Sequence, residues 1–378
     1  NVTFILMKNW VDLFIRQGDK QVIIKEIDGL RFIAIIAVVL SHFSLQIIKQ
    51  SNLPVDFEYA NGVALFLELG GYGVRIFFCI SAFILSIQFI KYYLYNSEKV
   101  SLKKYYFKRL KRLEIPYLLV LIILLLFRIF VQGEFWKDEM PHFFSSVFYS
   151  HNIIYDRRST INPVAWTLEI EIQFYLLLPF LMQIFLIKNF VKRRVLLVGC
   201  VLLFALLHSI FYHYITVAHL TYSIVPYLPI FLLGILFADI YLSNKILLES
   251  KFFLWDVLGI IGFLIILYFA GYASFYKYII EMFGYVLLFT GIFKGRILNA
   301  IFTKKIWMAI GCMCYSIYLL HYALIAFIMQ HITISIFKKG YYNNLVLQGI
   351  IVLPLVLFIC SIFYLIIEKP LTTKNRNI

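Results

Sequence analysis

Charge is what this sequence has least of. Asp, Glu, Lys and Arg make up 15% of its 378 residues and hydrophobic types 62%, where soluble domains carry about 25% charged and 45–50% apolar residues. A water-soluble globule has no interior large enough to hide that apolar fraction, which excludes soluble enzymes and disordered chains alike. Cysteine is scarce too. The five present, Cys79, Cys200, Cys312, Cys314 and Cys360, all fall in apolar runs, so they read as small packing residues and not as a secreted disulfide framework or a metal site. Also missing are any Pro/Gly/Ser-rich linker, low-complexity tract or convincing internal repeat, so one membrane domain with no appended soluble module is expected.

What is abundant is apolar sequence and aromatic rings, 38 Phe and 27 Tyr, which suit the interfacial belts of membrane proteins. A spanning helix needs about 20 mostly apolar residues. Ten stretches meet that length, centred near Val38, Leu85, Leu124, Leu176, Leu203, Phe231, Ile265, Leu287, Ala323 and Leu357. The expected fold is therefore all-α, a polytopic integral membrane protein with about ten transmembrane helices. Ten crossings return both termini to one side. With the N-terminus cytoplasmic, 25 of the 35 Lys and Arg fall on inside segments and 7 on outside loops. The positive-inside rule thus puts both ends in the cytoplasm, as for a bacterial inner-membrane protein. The net charge of +15 then records topology and anionic lipid, with the lipid bilayer as a partner and no nucleic acid. The first 26 residues mix apolar and charged positions, as in Trp10, Leu13, Phe14 and Arg16, lack the features of a signal peptide, and read as an amphipathic helix on the inner leaflet. The expected boundaries are 1–26 for that segment, 27–368 for the transmembrane domain and 369–378 for a cytoplasmic tail. The longest outside loop, about residues 131–162, is the only extracytoplasmic segment with room for structure.

An ionisable group inside the bilayer costs at least about 2.5 to 3.5 kcal/mol, so each such residue marks a functional site by default. Three groups qualify. The first span carries Arg31 and His42; eleven residues at about 100° each put both on one face, with His42 about 16 Å further outward. The next span opens with Gly70-Gly71-Tyr72-Gly73-Val74-Arg75 and continues to Ser81. The third group is Trp166, Glu169, Glu171 and Tyr175. Glu169 and Glu171 point about 200° apart, so only one of them faces a polar interior, whereas Glu171 and Tyr175 share a face at i, i+4. Each group also has a purely structural reading: Arg31 as a snorkelling interfacial arginine, His42 as a hydrogen-bonded packing histidine, and Arg75 with Glu171 as an ion pair between helices. A polytopic chain with buried Arg, Glu and His also fits a transporter or flippase of a surface-glycan precursor. The remaining histidines, His142, His151, His213 and His219 among them, lie at loops or span ends without convincing metal-ligand spacing; His321, beside Tyr318 in an apolar span, is the exception.

Taken in order, these segments resemble the acyltransferase-3 family of integral membrane acyltransferases. Gly29, Leu30, Arg31 and His42 match its opening Gly-Leu-Arg and its Arg, ten residues, His signature. Gly73, Val74, Phe77, Phe78, Ser81 and Phe83 match its Gly-Val-x-x-Phe-Phe-x-x-Ser-Gly-Phe pattern, with Ala82 for the second Gly. Arg109, Arg112 and Pro116 look like its Arg-x-x-Arg-x-x-x-Pro, and Trp166 to Tyr175 its Trp-Ser-Leu-x-x-Glu-x-Gln-Phe-Tyr, with Glu171 at the glutamate. Tyr315, Ser316, Tyr318 and His321 resemble its Ser-Tyr-Ser-x-Tyr-x-x-His, and Glu368 and Pro370 its closing Glu-x-Pro.

The resemblance implies an O-acyltransferase that moves an acyl group, acetyl first, from cytoplasmic acyl-CoA to a hydroxyl of an extracytoplasmic saccharide or lipid-linked saccharide acceptor, without a metal. In that scheme His42 is the general base, Glu171 orients or steadies its imidazole, and Arg75, Tyr318 or Ser81 binds the tetrahedral oxyanion. Arg31, Lys108, Arg109 and Arg112 would bind the coenzyme A phosphates. Trp166, Tyr175, Tyr315 and His321 complete the expected site through their motifs.

Overall fold

The computed structural model describes residues 10–15, 24–51, 53, 61–217, 220–243, 251–332 and 340–373. His219, most of the expected N-terminal segment and residues 374–378 of the expected tail lie outside them. The described residues are helical throughout their length-forming elements and contain no β-strand. They hold seven helices long and apolar enough to cross a membrane, and an eighth if a bent pair, Lys305–Cys312 with Cys314–His331, counts as one. Seven of the expected centres fall in the seven spans and Ala323 in the bent pair. The other two, near Leu203 and Ile265, fall in helices of 21 and 17 residues, Phe190–Ile210 and Phe253–Phe269.

The chain divides into two compact units, Asn1–Val74 with Ala300–Ile378, and Arg75–Asn299. The first is built on α1 (Lys25–Gln50), followed by α2 (Gly62–Leu69) and a tight 3₁₀ turn, Gly70–Gly73. Two glycines permit close packing on α1. A Cβ on Gly70 would overlap the carbonyl of Ala37, and one on Gly311 that of Asp28, so small-residue contacts bring these backbones together where lipid offers no hydrophobic drive. The described turn at residues 10–14 tucks Phe14 against Tyr364, whose hydroxyl donates to the Phe14 carbonyl at 3.0 Å, while Trp10 and Leu13 stay exposed.

In the second unit, α3 (Val74–Tyr95) and α4 (Leu102–Phe130) precede the long loop, which folds into α5 (Trp136–Val147) and α6 (His151–Tyr155). Arg128 holds α5 to α4 through a bidentate pair with Glu139 at 2.9 and 2.7 Å. Then come α7 (Trp166–Leu181), α8 (Phe190–Ile210), α9 (Leu228–Ser243), α10 (Phe253–Phe269) and α11 (Phe275–Lys294). Eleven of the sixteen residues of α9 are buried, as its all-round apolar sequence requires. Asp239, the one acid in α9, accepts from Arg193 and Arg194 of α8 at 2.8 Å each. Helices α10 and α11 meet along paired glycines, Gly259 with Gly291 and Gly262 with Gly284. None of the five cysteines, all among the described residues, forms a disulfide.

Candidate active site

The first unit completes itself with α12 (Lys305–Cys312), α13 (Cys314–Ile332) and α14 (Tyr341–Phe363). Between α12 and α13 the chain bends by 69°. That bend exposes the N-terminal amides of α13, and Glu368 satisfies one of them. Its Oε2 accepts from the Ser316 N–H at 3.1 Å and from the Ser316 hydroxyl at 2.6 Å, placing a carboxylate at the positive end of the helix. Two motifs far apart in sequence therefore meet.

Two turns along from that bend, α13 presents His321 to His42 of α1. Nδ1 of His42 lies 2.8 Å from Nε2 of His321, with the rings stacked at 5.1 Å and Tyr322 edge-on to His42 at 5.2 Å. The other nitrogen of His321 fixes the tautomers. Its Nδ1 sits 2.9 Å from the carbonyls of both Ile317 and Tyr318; carbonyls only accept, so Nδ1 carries the hydrogen. Nε2 of His321 is then an acceptor, Nδ1–H of His42 donates to it, and the basic lone pair of His42 is on Nε2. Tyr318 and Tyr315 are buried on the same helix. Arg31, on the α1 face predicted to carry His42, pairs with Asp28 at 2.6 Å.

The second unit holds two polar centres. Arg75 is not paired with Glu171. Its guanidinium lies 3.1 Å from Glu281 of α11, with the Tyr227 and Tyr278 rings at 5.4 and 5.5 Å, and Tyr285 donates to Glu281 at 3.1 Å. Glu171 instead accepts from Ser81 at 2.6 Å, and Tyr175 bonds to both. Six helical residues separate Arg75 from Ser81, about 240° and 9 Å, so the two side chains address different neighbours. Glu169 points the other way, as its spacing predicted, and accepts the Asn152 backbone N–H at 3.0 Å. Tyr105 of α4 donates to the Tyr175 carbonyl at 3.3 Å, and Arg109 is near enough to act electrostatically on both tyrosines. Arg109 and Arg112 are half-buried and Lys108 is exposed. Trp166 packs edge-on to Phe78 at 6.5 Å and near Tyr227 at 5.9 Å.

Glu281, Asp239 and His208 escaped the sequence reading. Each is an ionisable residue in an apolar run, so the rule that singled out Arg75 applies to them equally; no motif drew attention to them. The loop holds a second histidine pair, His142 Nδ1 to His151 Nε2 at 3.0 Å, with His151 Nδ1 on the Arg157 carbonyl at 3.1 Å. There the lone pair on His142 Nε2 receives the Arg157 guanidinium at 3.3 Å, which makes the pair structural. Among the described residues no group of three or more His, Cys, Asp and Glu is arranged to hold a metal.

Residues 24–365 match the model of a family described as an acyltransferase domain. The chain is 26% identical over 389 aligned residues to the O-acetyltransferase OatA of Staphylococcus aureus, covering 92% of this chain and 57% of the relative. With the peptidoglycan O-acetyltransferase OatA of Listeria monocytogenes it shares 27% over 329 residues, 80% of this chain and 49% of the relative. It thus spans about half the length of these curated relatives. No solved structure matches. The family match favours acyl transfer over the transporter reading of the same buried charges.

Proposed function

The chain belongs to the acyltransferase-3 family, and on that premise we propose that it is a membrane O-acetyltransferase acting on a cell-envelope glycan of the peptidoglycan kind, as its relatives' names suggest. The donor is an acyl-CoA thioester arriving from the cytoplasm, where both termini and residues 99–112 lie. One observation carries the reading: the contact of His321 that sets His42 as the Nδ1–H tautomer.

In this reading Nε2 of His42 takes the proton of the acceptor hydroxyl as its oxygen bonds to the acyl carbon. The carbon–sulfur bond then breaks, and the leaving thiolate recovers that proton from the imidazolium. His321 acts through His42, as a positioning residue. Its neutral Nε2 accepts from the imidazolium as well as from the imidazole, so the contact survives the proton transfer. For the oxyanion we assign Tyr318, on the helix that carries His321, since the Ser81 hydroxyl donates to Glu171 and Arg75 is engaged by Glu281. Arg31, held by Asp28, serves the donor phosphates with Lys108, Arg109 and Arg112. Glu171, Tyr175 and Trp166 in the second unit and Tyr315 in the first are assigned to the reaction through their family motifs.

The test is His42→Ala, purified, shown to be folded by thermal unfolding, and assayed for acetyl transfer. Loss of a general base costs about 10² to 10⁴ in rate. A folded variant that keeps more than about a tenth of wild-type turnover removes His42 from that role.

A further inference from the structure

Within the second unit, the start of α3, the end of α8 and the segments that precede α9 and join α10 to α11 surround an open recess, lined by Arg75, His208, Tyr212, Thr221, Tyr227 and Tyr272 among others. Its deep polar groups are nearly inaccessible, Arg75 at 5% and His208 at 8% exposure. Nδ1 of His208 has no hydrogen-bond partner, although buried polar atoms are almost always satisfied. An unsatisfied donor or acceptor at the floor of a recess is a contact awaiting a ligand.

The chemistry of the lining narrows the ligand. Glu281, fully buried, sits 3.1 Å from Arg75 and balances its charge, so Arg75 offers no uncompensated charge to a phosphate or carboxylate. An acyl chain would leave His208 and the guanidinium edge without partners. What suits both is a ring bearing hydroxyls, each able to donate and accept, with C–H faces that lie on aromatic rings. Tyr212 and Tyr272, both 40% exposed, stand in the lining. The aromatic wall continues beyond it, from Tyr227 to Trp166 at 5.9 Å and on to Tyr222 at 5.5 Å, with the Arg158 guanidinium over Trp166. Such a wall is longer than one sugar ring needs.

We propose that this recess is a saccharide subsite, taking one uncharged, hydroxyl-bearing ring of the acceptor glycan, with neighbouring rings along the Tyr227–Trp166–Tyr222 wall. The inference rests on the reading of the acceptor as a glycan. It is tested with the full chain in lipid nanodiscs and a soluble N-acetylglucosamine–N-acetylmuramic acid tetrasaccharide as acceptor. Tyr212→Ala, Tyr272→Ala and His208→Gln should each raise the acceptor KM at least ten-fold and leave kcat at saturating acceptor within about two-fold. Tyr276→Ala, exposed on α11 and outside the recess, should leave KM as it is. The two tyrosine variants alter half-exposed positions and test the subsite even if His208→Gln does not fold. Transfer to the tetrasaccharide with KM unaltered in folded tyrosine variants overturns the subsite and leaves the acceptor reading standing. Failure of the wild type to bind or acetylate the tetrasaccharide, while still transferring to another hydroxyl acceptor, overturns both.

Discussion

His321 receives the Nδ1 proton of His42 across 2.8 Å and passes its own Nδ1 hydrogen to the carbonyls of Ile317 and Tyr318. A histidine thus holds a histidine, and α13 holds both. Replacing His321 with Leu should leave His42 without that acceptor and cost about 10² in turnover, within the range for impaired acid–base catalysis. His321→Gln, whose amide oxygen accepts from Nδ1–H, should restore part of it and shift the pH–rate profile less. Equal rates for the two folded variants would sink the positioning role.

Arg75 and Glu281 form a buried pair whose partners are 5% and 0% exposed. Removing one side of such a pair leaves a stranded charge at a cost of about 3 to 5 kcal/mol. Arg75→Met should therefore lower thermal stability in detergent more than the double variant Arg75→Met/Glu281→Gln does. A double variant no more stable than the single one would show that the pair does not anchor α3 to α11.

Glu368→Ala removes both acceptor contacts to Ser316 at the start of α13. The expected loss is about 1.5 to 3 kcal/mol for hydrogen bonds to a charged group. Glu368→Gln keeps an acceptor oxygen and should lose about half as much. Thermal unfolding of the three proteins side by side decides it; equal stability of wild type and Glu368→Ala would refute the cap.

The loop pair predicts a pH dependence. Burial lowers the His142 pKa and pulls that of His151 down to about 4, helped by the neighbouring histidine and the Arg157 charge. Unfolded, both titrate near 6.5. Between those values the unfolded loop binds more protons than the folded one, so its stability rises with pH and is lost as pH falls from about 6.5 toward 4. Hydrogen-exchange protection factors across residues 136–155 should fall over that window as pH is lowered, and His151→Gln should flatten the change. Equal protection at pH 7.5 and pH 4.5 would contradict it.

Much of the architecture was legible because the bilayer imposes it. A spanning segment must satisfy its backbone within itself, so apolar length alone marks helices such as Lys25–Gln50 and Leu102–Phe130. The same rule flags buried charge, which is how Arg31, Arg75, Glu171 and His42 stood out. Motif order named the family before any geometry was known. Spacing along one helix also separated Glu169 from Glu171 correctly, since that is a property of the helix itself.

Partners were another matter. Nothing in the sequence says that Arg75 faces Glu281 rather than Glu171, or that His42 meets His321, 279 positions further along. Helix periodicity fixes the face on which a residue lies, and the neighbour that face meets is set by packing. Here that packing depends on where backbones approach closely enough, at Gly70 on Ala37 or Gly311 on Asp28. The tautomer of His42 goes one step further, resting on two carbonyls of a helix that its own segment never specifies. Composition and period therefore determined the membrane fold and the list of reactive groups, and tertiary contact alone decided which groups share a proton.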